Sequence, residues 1–151
     1  MYTPPVGFRF KAVFQGIDGV GDNDTLFQDV SGLTREIELE EVKDGANPMS
    51  AYKFPKKVKY TNLVLKRGMF VDSALVGFFD KAVNSYFNVL NLDSSTCDIT
   101  ISLLGETNEP LVSWTVFNAF PVKWVISDFK ASGNEIVVES MEFSYQRFKR
   151  N

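Results

Sequence analysis

Carboxylates recur at alternate positions in one short segment of the sequence. Glu36, Glu38 and Glu40 share one parity, and Glu41 follows directly. Paired carboxylates could act as general acid and base, or could bind a divalent cation. Alternate residues on one face of a strand lie roughly 7 Å apart, however, which suits a solvent-exposed row better than a closed set of metal ligands. The spacing therefore favours a structural row of charges, with catalysis or calcium binding as the alternatives.

Basic residues follow this acidic row on the next predicted strand. They are Lys56, Lys57, Lys59, Lys66 and Arg67. Side chains that face one another across two strands interact, so we expect these cations to pair with the glutamates. A phosphate or nucleic-acid site is the alternative reading. The net charge of −3 and the scarcity of aromatic residues between the lysines argue against it.

Other candidate sites fail because required residues are missing. The chain contains no histidine, which excludes Ser-His-Asp triads and His-ligated metals. Cys97 is the single cysteine, so we expect neither an internal disulfide nor a cysteine-based zinc site, and we predict a packing role for it. The glycine-rich segment 16–21 lacks the Lys-Ser/Thr of a phosphate-binding loop. Asp18, Asp22 and Asp24 lack the downstream Glu of a calcium loop. We therefore expect no enzymatic activity, no cofactor and no metal.

The elements that must position these residues are mostly strands. The chain has 151 residues, of which 44% are hydrophobic and 23% charged, as is typical of a globular domain, here spanning residues 1–151. Hydrophobic residues alternate with period two in most segments. The predicted strands are 8–14, 33–42, 56–67, 99–103, 112–116 and 135–148. The alternation changes parity near Thr61 and Asn62, which predicts a β-bulge or a change of partner strand. Residues 43–55 are predicted to form a loop. Pro121 is expected to end its strand.

One segment, Asp72 to Phe87, has helical period. Asp72 or Ser73 can cap its N-terminus. Its apolar stripe, spaced i, i+3, i+4 and i+7, consists of Leu75, Phe78, Phe79, Ala82, Tyr86 and Phe87. We expect this helix to pack across the sheet, with Trp114 in the core or at a subunit interface. The predicted fold is mainly β, a sandwich or barrel with one packed α-helix.

The long amphipathic strand 33–42 raises the question of its partner. Such a strand is a liability when it lies exposed at a sheet edge. A closed barrel built from several chains removes those edges. The pattern therefore favours a sheet that neighbouring copies complete.

Several segments together resemble one known family. They are FQDVSGLT at 27–34, KYTNLVLKRG at 59–68, DITISL at 98–103, residues 114–121, SDFKA at 127–131 and IVVE at 136–139. In their order and spacing these segments are similar to the tube proteins of contractile-tailed phages and phage-like injection particles. The resemblance extends over nearly the whole chain, and the opening PPVGFRF at 4–10 favours the extracellular injection-system branch.

The resemblance implies a mechanical function without chemistry. Tube proteins form hexameric rings that stack into a hollow tube inside a contractile sheath, and each subunit lends strands to a barrel around the lumen. By this resemblance, strands 33–42 and 56–67 line the lumen, and Leu33, Ile37 and Leu39 face the core under the helix. The candidate lumen-facing residues are Glu36, Glu38, Glu40, Lys57 and Lys59. The candidate intersubunit loop contains Asp44, Gly45, Asn47, Pro48 and Tyr52. The residues expected to pack the helix against the core are Leu75, Phe78, Phe79, Tyr86 and Trp114.

The same resemblance implies the partners and the location. The expected partners are other copies of the chain, the sheath protein, the baseplate, spike and tube-initiator proteins, and effector cargo in the lumen. We expect no membrane anchor, no signal peptide and no sequence-specific nucleic-acid binding, and therefore assembly in the cytoplasm into a releasable particle. The alternatives are a tube-initiator paralogue, the tail tube of a DNA-delivering phage, a monomeric β-sandwich binding module and a carboxylate-based glycosidase.

Overall fold

A computed structural model describes residues 9–17, 25–43, 45, 51–68, 73–86, 96–127 and 137–151, with only the backbone described for 82–86. In chain order its elements are β1 (Arg9–Gln15), β2 (Leu26–Phe27), β3 (Asp29–Ser31), β4 (Arg35–Lys43), β5 (Ala51–Tyr60), β6 (Leu63–Gly68), α1 (Ala74–Tyr86), β7 (Cys97–Leu104), β8 (Pro110–Ile126), β9 (Val138–Ser144) and β10 (Arg147–Arg150). The predicted mainly β fold with a packed helix is confirmed.

Eight of the strands form one antiparallel sheet that curls toward closure. Its order is β2-β1-β7-β8-β9-β6-β3, and β10 pairs with β8 beside this path. Strand β8 pairs with β7 through its first half and with β9 through its second half. The segment around Gln28 joins the two ends of the sheet, because β2 pairs with β1, β3 pairs with β6, and the Gln28 N–H donates to the Lys66 carbonyl at 2.9 Å. The result is a barrel-like sandwich.

Alternating side chains from these strands fill the interior. The inward parity predicted from the sequence is confirmed at Ala12 and Phe14 of β1, at Ile99 and Ile101 of β7, and at Met141 and Phe143 of β9. Helix α1 adds Leu75, Phe78 and Phe79 to the same core. The Phe79 ring lies 5.5 Å from that of Phe143 in an edge contact. Aromatic edge contacts of this kind add stabilisation beyond the burial of their area.

Helix α1 begins immediately after its capping residue. The Ser73 hydroxyl oxygen accepts a hydrogen bond from the Leu75 N–H at 3.2 Å, which satisfies one of the free donors of the first turn. Ser73 is thus the cap, whereas Asp72 and the predicted last residue Phe87 lie outside the described residues. Within the described ranges, this helix has neither the length nor the hydropathy needed to cross a bilayer.

A buried polar cluster ties the helix start to the sheet. The Arg67 Nε donates to Glu139 Oε2 at 3.0 Å, with the two side chains 4% and 1% exposed. The indole N–H of Trp124 donates to the other carboxylate oxygen at 2.8 Å, and Arg67 Nη2 donates to the Ser73 hydroxyl at 2.8 Å. The expectation that Arg67 pairs with the glutamates of strand 33–42 is wrong, because its position in β6 points it into the core opposite Glu139.

Two strand boundaries differ from the prediction. Pro121 does not end its strand, since β8 continues to Ile126 with a register shift between Pro121 and Lys123. A proline lacks an N–H, so it is tolerated where the ladder is already irregular. The last predicted strand is divided into β9 and β10 at Tyr145 and Gln146.

Candidate functional site

The β4–β5 hairpin projects from the barrel as a ribbon of its own. These strands pair with each other, and no other described strand pairs with either. Every residue of β4 is exposed, as is β5 from Ala51 to Lys59. An isolated two-stranded hairpin is marginally stable in water. Of the described elements, this hairpin is therefore the one that most needs a partner.

The structure corrects the predicted burial of this segment. Strand 33–42 was expected to be half-buried, with Ile37 and Leu39 under the helix, but these two side chains are 57% and 55% exposed. Leu33 alone packs against the core. The reason is that β4 takes β5 as its partner and leaves the barrel after Ser31, so no layer formed by the described residues covers its apolar parity.

The charged residues of the hairpin gather on one face. In the register of the ribbon, Glu36 lies opposite Lys59 and Glu38 opposite Lys57, and residues directly opposite share a face. The Lys57 ammonium lies 3.5 Å from the Glu38 carboxylate. Glu40 has the same parity and lies opposite Phe54. The five candidate lumen residues thus share one face, which we call the charged face, and it carries both signs of charge.

Large apolar side chains also lie open to solvent on the hairpin. They are Ile37, Leu39, Val42, Tyr52, Phe54 and Val58, each between 48% and 59% exposed. The rings of Tyr52 and Phe54 stack with centroids 6.4 Å apart. Exposed apolar patches of this kind mark sites of association.

Of the predicted intersubunit loop, the structure describes Gly45 and Tyr52. The prediction of a loop over 43–55 is wrong for its last part, because β5 already begins at Ala51 and includes Tyr52. Gly45 is an exposed turn residue. Asp44, Asn47 and Pro48 lie outside the described residues.

A glycine sets the bend at the root of the hairpin. Gly32 has a φ of +91°, and a Cβ added there would lie 1.8 Å from the Asn62 carbonyl oxygen. Only glycine fits this close approach in a left-handed conformation. The Gly32 carbonyl accepts hydrogen bonds from the Tyr145 hydroxyl at 2.9 Å and from the Thr61 hydroxyl at 3.1 Å. The predicted parity slip at Thr61 and Asn62 is therefore a change of partner, from β4 to the β3 and β9 neighbours of β6.

Aromatic rings hold the root against the barrel. Tyr60, at the end of β5, makes edge contacts with Tyr145 at 5.7 Å and with Phe148 at 5.6 Å. The Arg35 guanidinium, at the start of β4, lies 4.9 Å from the centre of the Phe148 ring. Burial and the neighbouring Tyr60 phenol raise the pKa of Tyr145 to about 12. Both strands of the hairpin are thus fixed in direction where they leave the barrel, a feature that the sequence analysis missed.

The remaining predicted residues lie in the interior. Leu75, Phe78 and Phe79 are buried, and Trp114 is partly buried against the core. The side chain of Tyr86 lies outside the described residues. Burial, with a smaller effect of Asp98, raises the pKa of the Cys97 thiol to about 12, which favours the unreactive thiol form. In the part of the chain that the structure describes, no three acidic or thiol groups are grouped to bind a metal ion.

Comparison with known proteins gives one family. A sequence profile described as T4-like virus tail tube protein gp19 matches residues 6–149. No curated protein matches the sequence significantly.

Solved structures share the fold over almost the whole chain. A chain in the baseplate of the anti-feeding prophage is 29% identical with a TM-score of 0.75, covering 100% of this chain and 97% of that one. A chain in the extended sheath-tube complex of the extracellular contractile injection system PVC is 27% identical with a TM-score of 0.70, covering 99% and 92%. Hcp1 from Salmonella typhimurium, 14% identical with a TM-score of 0.57 and coverage of 96% and 86%, shares the fold alone.

Proposed function

Because the chain belongs to the T4-like virus tail tube protein gp19 family, we propose that its exposed hairpin joins copies into hexameric rings that stack into a hollow tube. The chain is a structural tube subunit of a contractile injection system. The family is a structural one, and we propose that this member carries out no catalysis. Residues 1–151 act in this proposal as one tube domain.

The observation that carries the proposal is the exposed hairpin. Its six large apolar side chains would remain half in water in a single subunit. Burial of apolar surface contributes about 25 cal/mol per Å², so neighbouring copies that cover them gain free energy from each side chain. The rigid root presents the ribbon in one direction, which lowers the entropy cost of each association.

The charged face fits the inner surface of such a tube. We propose that Glu36, Glu38, Glu40, Lys57 and Lys59 face the lumen, where their charges stay hydrated. Three glutamates and two lysines per subunit give a mixed wall with a small acidic excess. The tip, including Asp44, Gly45, Asn47, Pro48 and Tyr52, contacts neighbouring copies in this proposal.

The partners and the location follow from the related particles. The similar PVC chain belongs to a sheath-tube complex, and the similar prophage chain to a baseplate. We propose that this chain is enclosed by a contractile sheath, begins its assembly on a baseplate, and leaves the cell as part of a released particle. Effector cargo in the lumen is part of the same proposal.

The likeness to a baseplate chain supports a second candidate. In this second proposal the chain forms a ring at the baseplate and does not extend it into a tube. The two roles differ in the length of the assembly that the chain forms alone.

Negative-stain microscopy with light scattering on the concentrated protein tests the proposal. A tube subunit gives six-membered rings with a central hole and stacks of them, whereas an initiator gives rings only. A particle of 17.0 kDa at every concentration would refute self-assembly through the hairpin. Glu38→Lys serves as a matched variant on the charged face: rings persist if this face lines the lumen, and are lost if it lies in an interface.

A further inference from the structure

A groove crosses the outer face of the sheet where β6, β9 and the second half of β8 run side by side. Its volume is about 380 Å³, at the lower end of the range for ligand-binding clefts. Its lining combines three valines with three charged residues, namely Val64, Val125, Val138, Lys66, Lys123 and Glu142. Val125 and Val138 are 43% and 38% exposed, so apolar surface is available to a ligand.

The alternation of the three strands directs these side chains away from the core. Leu65 of β6 and Met141 of β9 are fully buried, and Trp124 of β8 packs against the core. Successive side chains of a strand point to opposite faces. The neighbours of these three residues therefore lie on the outer face, and they include Lys66, Glu142, Lys123 and Val125.

The two lysines of the groove lack an anionic partner in the part of the chain that the structure describes. Lys123 lies opposite Glu142, and Lys66 lies opposite Asp29 of β3, yet neither pair comes within ion-pair distance. The Glu142 carboxylate instead accepts a hydrogen bond from the Asn62 side-chain amide at 3.4 Å. The groove therefore presents two ammonium groups beside its apolar lining.

The outer face of β6 continues the charged face of the hairpin. Tyr60 contacts the ring of Phe148, so its neighbour Lys59 points away from the barrel interior. Beyond the change of partner at residues 61 and 62, the interior side continues with the buried Leu65, and the other side with Val64 and Lys66. The groove thus opens on the same side of the subunit as the charged face.

The spacing of the groove fits an extended polypeptide. Lys66 and Lys123 lie two strands and two residues apart in the register, which separates their Cα atoms by about 12 Å. Residues four positions apart in an extended chain lie about 13 Å apart. Two carboxylates at this spacing reach the two ammonium groups, and an apolar side chain midway between them lies over the valines.

We propose that the groove binds extended segments of cargo polypeptide that carry both acidic and apolar side chains. This inference rests on the proposed tube function, because that function turns the charged face, and with it the groove, toward the lumen. Each subunit then holds one such segment, and a ring holds six. The contacts are exposed and therefore weak and sensitive to salt, so a bound segment is released readily.

A labelled synthetic peptide of nine residues tests the inference by fluorescence anisotropy. It carries two glutamates four positions apart with a valine midway, and serines elsewhere. One control peptide has lysines in place of the glutamates, and a second has serine in place of the valine. The protein variants are Lys66→Glu with Lys123→Glu, and the matched control is Lys149→Glu, an exposed lysine of β10 outside the groove.

The expected result is binding of the acidic peptide that weakens as the ionic strength rises. The double variant should bind about tenfold more weakly than the wild type, whereas Lys149→Glu should match the wild type. Both control peptides should bind more weakly than the acidic peptide. Negative-stain images and the urea midpoint verify that each variant folds and assembles; because the groove lies within one subunit, monomers are compared if the double variant forms no rings.

Two outcomes would overturn the inference. One is equal binding of the acidic peptide by the wild type and the double variant, and the other is equal binding of the acidic and basic peptides by the wild type. Rings that bind no acidic peptide would refute the inference and leave the tube function standing. Failure of the wild-type protein to form rings would instead refute the proposed function.

Discussion

The buried pair Arg67 and Glu139 gives the most quantitative prediction. Replacing Glu139 by Gln keeps the size of the side chain but removes its charge. The Arg67 guanidinium, 4% exposed, would then lie in the core without the carboxylate that now sits 3.0 Å away. The single amide oxygen of Gln also replaces two acceptor oxygens, which now serve Arg67 and the Trp124 indole N–H.

The expected loss is about 3–5 kcal/mol in the free energy of unfolding, the range for breaking one partner of a buried ion pair. For a domain of this length, each kcal/mol lowers the melting temperature by about 2–4 °C. Removing both charges with Arg67→Met and Glu139→Leu should lower the free energy of unfolding less than Glu139→Gln alone, because neither charge of the pair then remains buried. This ordering follows from burial, since an exposed pair is worth about 0–1 kcal/mol.

Urea unfolding of the monomer at low concentration measures both variants. Glu142→Gln, on the outward face of β9, is the matched control and should change the stability by less than about 0.5 kcal/mol. A loss below about 1 kcal/mol for Glu139→Gln would refute the reasoning, because it would mean that water reaches the pair. A double variant less stable than Glu139→Gln would refute the argument that a buried charge left by its carboxylate partner is costly.

Three further predictions concern the hairpin root and the core. Gly32→Ala should lower the free energy of unfolding by at least about 1–3 kcal/mol, because alanine at positive φ meets the Asn62 carbonyl. The same variant should form fewer rings. Unchanged stability and ring yield would contradict this prediction. Tyr145→Phe loses the hydrogen bond to the Gly32 carbonyl, so its free energy of unfolding, measured in urea at neutral pH, should be about 0.5–1.5 kcal/mol lower than that of the wild type. The pKa of Tyr145 is raised from 10.0 to about 12, so the phenol of the unfolded chain ionises at lower pH than that of the folded protein. The stability that the neutral Tyr145 phenol contributes is therefore complete below about pH 10 and falls as the pH rises to about 12. The Phe variant should lack this part of the decline in stability. Cys97, buried and with its pKa raised to about 12, should react with a thiol reagent at neutral pH only after unfolding, and rapid labelling of the native protein would disprove its burial.

The sequence predicted the interior better than the exposed ribbon. Period-two alternation indicates which parity of a strand is apolar, and at Ile99, Ile101, Met141 and Phe143 that parity is the core face. The same pattern in strand 33–42 could not reveal what covers it. Its ladder partner is β5, and none of the described residues covers its apolar face, so alternation alone does not show what that face contacts.

The buried ion pair was missed although a signal was present. Leu63 and Leu65 share their parity with Arg67, just as Met141 and Phe143 share theirs with Glu139. Both charges therefore occupied apolar phases of their strands. Parity alone could not pair them, because the two residues are far apart in sequence and become opposite only when β6 and β9 align.

The charged face was partly predictable. The parity of Glu36, Glu38 and Glu40 places them together, and their pairing with Lys57 and Lys59 requires only that strands β4 and β5 form a hairpin. The register shifts between Glu38 and Leu39 and leaves Lys56 as an extra residue, and the sequence does not distinguish this bulge from a regular strand.

A cryo-electron microscopy reconstruction of the assembled protein tests the central claim most directly. The account predicts rings of six in which neighbouring copies cover the apolar face of the β4–β5 hairpin, with Ile37 and Leu39 buried and the charged face toward the lumen. A ring in which the hairpin remains in solvent, with contacts made by other surfaces, would contradict it.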